Sequence, residues 1–173
     1  MPSTIAISLN NVIAEHMAAR SMQDWFDAYA ISNQHPSHKA IHWVCVPVIY
    51  FCVIGLLFSI PLPDAPPYVR PHLLAFLAIA VVAFFYLRLS LTIAFGMILW
   101  SLFCVSVCKY LVSHSSTPLW IICTVLFVAA WIGQFYGHKV EGRKPSFLDD
   151  LQFLMIGPAW LLSFVYQRLR IPY

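Results

Sequence analysis

Apolar residues run through this chain in long stretches, and short polar clusters separate them. The first stretch covers residues 40–62, enough to cross the ~30 Å hydrocarbon core of a bilayer as a helix. Pro47 lies inside it and predicts a kink, which membrane helices tolerate. Prolines crowd the next segment, residues 61–71, so it cannot be helical throughout. Residues 72–112 are almost unbroken apolar sequence interrupted by Arg88. One helix of that length would extend roughly 60 Å, about twice the membrane thickness. The chain must therefore fold back at residues 88–90, giving spans two and three. Lys109 can snorkel at the end of span three. A polar turn, residues 113–118, leads to a fourth span over residues 119–137. The last apolar segment, residues 151–165, is broken by Gly157-Pro158. At about fifteen residues it is short for a crossing, which predicts a re-entrant or interfacial segment, a half-span or hairpin.

Ahead of the first span the pattern changes. Residues 1–20 have weak periodicity and read as a loose leader without a cleavable signal. Ser21-Met22-Gln23-Asp24 has the form of a capping box, and aromatic residues follow at helical spacing. Residues 22–32 are therefore expected to form a short amphipathic helix at the membrane surface. Pro36 suits the first turn of the following helix, with His35 at its N-cap. The whole predicts an all-α integral membrane bundle of four spans, an N-terminal surface helix and a C-terminal half-span or hairpin. Residues 21–173 form one membrane-embedded domain.

Composition strengthens the membrane reading. Hydrophobic residues make up 61% of the chain and charged ones 10%, outside the range of soluble domains. The net charge of +3 is small and scattered, which argues against a nucleic-acid surface. Lys and Arg act instead as topology markers. Arg20, Lys39, Arg88 and the charged loop at residues 138–150 all fall on one face, expected to be cytoplasmic. The five cysteines lie inside apolar runs without a Cys-x-x-Cys pair, as buried thiols do. Self-association as a homo-oligomer is compatible with this composition.

Two polar clusters carry the candidate chemistry. His35-Pro36-Ser37-His38-Lys39-Ala40-Ile41-His42 opens the first span, and Gly137-His138-Lys139-Val140-Glu141-Gly142-Arg143 closes the fourth. An even number of spans separates them, so both reach the same face. His38 and His42 stand at i and i+4, share a helix face and can chelate one metal ion. His35 could turn onto that ion or cap the helix. Gln134 and His138 form a second i, i+4 pair. Glu141 can be a ligand, an acceptor for an imidazole N–H, or a surface partner of Lys139 or Arg143. Asp149 and Asp150 precede the last apolar segment and can be its caps. Neutral imidazoles with a carboxylate make a common iron site. The plainer alternative is that these histidines bond to headgroups or water at the interface. His16, His72 and His114 receive no role.

Longer blocks make the chain familiar. Asp24-Trp25-Phe26-x-x-Tyr29, Ile41-His42-Trp43-Val44-Cys45-Val46-Pro47, the Trp131 to Pro145 block containing Gly-His-Lys-x-Glu-Gly-x-Lys-Pro, and Asp150-Leu151-Gln152-Phe153-Leu154-x-x-Gly157-Pro158 resemble a family of small integral membrane proteins. Its best-known member degrades phytosphingosine to odd-numbered fatty acids. The resemblance covers nearly the whole chain after Ser21. It implies an Fe(II)-dependent dioxygenase that uses molecular oxygen to shorten 2-hydroxy fatty acids by one carbon. The expected location is membrane lipid, in a bacterial inner membrane or the endoplasmic reticulum, and the Lys and Arg distribution puts the metal toward the cytoplasm.

His42 and His138 match family histidines, and the implied catalytic group is His42, His138 and Glu141. The candidate metal set, taking spacing and resemblance together, is His35, His38, His42 and His138. Asn33, Gln134, Lys139, Arg143 and Asp150 are expected around the substrate or behind the ligands. The first block departs from the family pattern: a histidine usually stands where this chain has Asn33, and asparagines where it has His35 and His38. Either His35 or His38 then replaces the missing imidazole, or the site is altered. Two rival classes remain. A diiron lipid hydroxylase needs paired His-x-x-His-His boxes, which are absent. A transport or structural membrane protein should carry charges within its spans, where only Arg88 comes close.

Overall fold

The computed structural model describes residues 21–31, 35–61, 72–141 and 147–173, with side chains throughout except at residues 28, 31 and 141–154. Six helices occur among the described residues: α1 (Met22–Ile31), α2 (Pro36–Phe58), α3 (Leu73–Leu87), α4 (Leu91–His114), α5 (Leu119–Glu141) and α6 (Phe147–Leu169). No strand occurs among them.

Local chemistry sets most helix starts. The Ser21 backbone N–H donates to Asp24 Oδ2 at 2.8 Å, and Asp24 N–H donates back to Ser21 Oγ at 3.2 Å, completing the capping box of α1. Pro36 occupies the first turn of α2, and His35 Nδ1 accepts from the Ser37 N–H at 3.2 Å. The fold-back expected at residues 88–90 is present. Leu87 ends α3, and Ser90 Oγ accepts from the Ile93 N–H to cap α4. The Arg88 guanidinium lies 4.3 Å above the Phe84 ring.

Three helices, α2, α4 and residues Leu119–Val140 of α5, are long and apolar enough to cross a membrane. The expected second span is the shorter α3, with 15 residues. That is about 22 Å of helix, less than the ~30 Å hydrocarbon core. Among the described residues, full-length candidate spans thus number three, with α3 a shorter apolar helix beside them. Large apolar side chains such as Phe84, Phe95, Leu99, Val125 and Val128 remain exposed around these helices. So broad an apolar surface suits lipid rather than water.

The C-terminal segment also departs from expectation. It is neither a hairpin nor broken at Gly157-Pro158; α6 continues through both for 23 residues. Pro158 lacks an N–H for the carbonyl four residues back. Beside that gap, the Tyr86 hydroxyl donates to the Met155 carbonyl, and Gly157 packs against Tyr29 and Val46. Packing against three other helices outweighs the local proline signal.

From Met155 to Tyr166, α6 advances about 16 Å along its axis, yet its partners all sit at one end of the bundle. Tyr86 is in the last turn of α3, and Tyr166 OH donates to Thr92 O in the first turn of α4 at 3.0 Å. Phe164 meets Trp43 near the start of α2, with ring centroids 6.3 Å apart. The helix therefore runs across this end. Over it, α1 buries Met22, Phe26 and Tyr29. Tyr29 stands edge-on to Trp160 at 5.1 Å, and Phe26 to Tyr173 at 6.1 Å. The apolar face of α1 is thus turned into the protein. Its aromatic partners, Trp160 on α6 and Tyr173 beyond it, are far away in sequence.

A buried imidazole cluster as the candidate site

The helices α2 and α5 run antiparallel and form the most extensive contact in the bundle. Their register follows from three glycines. Gly137 lies opposite His38, Gly133 opposite Cys45, and Gly55 opposite Cys123. A Cβ at Gly137 would overlap the His38 ring and come 3.0 Å from its Nε2. Small residues let the two backbones approach, as they do generally between membrane helices. This approach brings His138 to the two histidines of α2.

His38 is 0% exposed, His42 3% and His138 9%. Ring centroids are 4.4 Å apart for His38 and His42, 4.6 Å for His38 and His138, and 6.3 Å for His42 and His138. Three imidazoles from two distant segments thus form one buried cluster. The rings stand edge to face, and no group of three His, Cys, Asp or Glu side chains among the described residues is placed to hold a metal ion. Gln134, one turn before His138, is also buried. Its Oε1 has no hydrogen-bond partner among the described residues.

The other sequence candidates fall in several places. His35 is exposed, and its Nδ1 is engaged in capping α2. Lys139 is exposed in the last turn of α5. Glu141 ends α5 and Asp150 lies in the first turn of α6, but their side chains fall outside the described ones. Asn33 and Arg143 lie outside the described residues altogether. Away from this end, His72 stacks on Phe58 at 3.6 Å, and His114 Nδ1 lies 3.0 Å from the Tyr110 carbonyl oxygen.

Sequence reasoning gave no site role to Tyr29. Its ring centroid is 5.8 Å from that of His42, and Trp160 backs it from α6. The available signal was the stripe Met22, Phe26, Tyr29, whose i, i+4, i+7 spacing marks a face committed to burial. The steric role of Gly137 was equally hidden, because a helical glycine gives no indication of what faces it.

With this geometry in place, comparison with known families becomes decisive. A family model described as Mpo1-like, 2-hydroxy-palmitic acid dioxygenase Mpo1-like, matches residues 19–169. The chain belongs to the Mpo1-like family. No curated protein and no solved structure is significantly similar to it. The match to the Mpo1-like model includes α1, both halves of the imidazole cluster and α6 up to its last residue. It agrees with the resemblance read from the sequence blocks.

Proposed function

We propose that this chain is an Fe(II)-dependent dioxygenase that converts a 2-hydroxy fatty acid into the fatty acid one carbon shorter. The observation that carries the reading is the buried trio His38, His42 and His138 in a chain of the Mpo1-like family. Three imidazoles clustered in an otherwise apolar membrane bundle supply the donor type that transition metals take. His38 takes the place of the imidazole that Asn33 does not supply, because it is buried in the cluster while His35 is committed to the cap.

Bound iron would supply open coordination positions for a hydroxy carboxylate and the redox partner that molecular oxygen needs. The protein's own contribution is placement. The α2–α5 pair fixes the imidazoles, and Gly137 leaves room for the His38 ring. Meanwhile α1 and α6 cover the site with Tyr29 and Trp160, which limits water around the reacting head group. The acyl tail lies among apolar helices, which accounts for a membrane-embedded enzyme. The atoms balance when one acid and one oxygen molecule yield the shortened acid, carbon dioxide and water. The site faces the cytoplasm by the distribution of Lys and Arg.

Metal analysis tests this reading. Protein purified without added metal should hold close to one iron per chain. His38→Ala, His42→Ala and His138→Ala should each lose it together with turnover of 2-hydroxyhexadecanoic acid, whereas His35→Ala should keep both. Full iron retention in all three cluster variants would remove this site from consideration.

A further inference from the structure

Gln134 is a buried amide in a membrane helix, only 6% exposed, whose Oε1 meets no donor among the described residues. A buried carbonyl without a donor is destabilising, so such a group calls for a ligand. Its place in the bundle indicates which one. Gln134 and His138 share a face of α5 one turn apart. The antiparallel register that sets Gly137 opposite His38 and Gly133 opposite Cys45 puts Gln134 level with His42. Gln134 therefore belongs to the same layer as the imidazoles. Its flanking glycines, Gly133 and Gly137, have no side chains with which to approach its amide.

An ionised fatty acid head offers acceptors only, and these cannot satisfy a carbonyl oxygen. A hydroxyl on the second carbon adds a donor. We propose that Gln134 reads that hydroxyl: Oε1 accepts its hydrogen bond when the acid head lies at the imidazole cluster. The residue thereby selects 2-hydroxy acids over unsubstituted ones. This deepens the function proposed above and rests on it. A site built to bond a hydroxyl strongly rejects the analogue without one, because its own polar group is then left unsatisfied. An apolar site cannot discriminate in this way.

Equilibrium binding of radiolabelled 2-hydroxyhexadecanoic and hexadecanoic acids to the purified full chain in detergent tests the assignment. Wild type should prefer the hydroxy acid by about ten- to a hundred-fold, the range expected for one satisfied buried acceptor. Gln134→Leu should lower that ratio by about ten-fold by weakening the hydroxy acid alone, with iron content and helicity kept. Gln134→Met, flexible and of similar length, provides a second apolar variant if the leucine variant misfolds. A merely structural role would weaken both acids alike and leave the ratio unchanged, and that result would overturn the assignment. So would a wild type that binds the two acids equally. Wild-type turnover of the hydroxy acid, measured separately, tests the enzyme reading itself. Turnover with a preference that Gln134→Leu leaves unchanged sinks only the role of Gln134.

Discussion

The α2–α5 interface uses the same device at two levels, with different consequences. Near the covered end, Gly137 admits the ring of His38. Farther along, Gly55 admits the thiol of Cys123, with the Cys108 thiol next to the same position. Cys52, Cys104, Cys108 and Cys123 are all fully buried and free, a small-residue core that lets α2, α4 and α5 pack. In both regions glycine allows close approach. At the cysteine level the result is a close meeting of thiols from α2, α4 and α5. At the histidine level the same approach assembles three imidazoles from segments about a hundred residues apart, an arrangement that packing does not require. Close approach is therefore a structural property, and what the approaching side chains can bind decides whether it becomes functional.

The two glycines offer the sharpest way to break this comparison. Gly137→Ala should have the larger effect. The new methyl would displace the His38 ring, and misplacement by about 1 Å can cost roughly a hundred-fold in rate. Iron content and turnover of 2-hydroxyhexadecanoic acid should fall while helicity by circular dichroism is retained. Normal iron and activity in this variant would show that the contact with His38 does not position the site.

Gly55→Ala should behave differently. Overpacking against Cys123 should cost about 1–3 kcal/mol of stability, seen as earlier unfolding in a thermal or detergent titration. Iron bound per folded molecule should stay as in wild type. If instead iron falls as far as in Gly137→Ala, the two levels are one coupled unit and the contrast between them fails.

The smallest expected effect belongs to His35→Ala. Loss of the Nδ1 bond to the Ser37 N–H should weaken the start of α2 by about 1 kcal/mol, measurable as a modest fall in stability with iron unchanged. Iron loss equal to that of His38→Ala would move His35 into the ligand set.

Much of the fold and half of the site could be read along the chain, for identifiable reasons. The capping box at Ser21 and Asp24, the His35-Pro36 start and the turn at residues 88–90 depend on neighbours within one helical turn. Pairing of His38 with His42 follows from helical periodicity alone. Even the joining of His138 to that pair followed from counting crossings, since an even number returns the chain to the same face. The shortness of α3 leaves His138 at the same end as His38, because helix direction still reverses at each turn.

The sequence by itself thus determined which segments are helical and apolar, where most of them begin, and which imidazoles share an end of the bundle. Those features rest on hydrogen bonds, steric exclusions and periodicities a few residues long. Only the tertiary structure decided the rest. It carried α6 unbroken through Gly157-Pro158 and laid it across the bundle, turned α1 inward to bring Tyr29 to His42, and aligned Gly137 with His38. It also separated His38, drawn into the core, from His35, held at the cap. Each of these outcomes depends on side chains from distant segments competing for the same space, and no local pattern records who the neighbour will be.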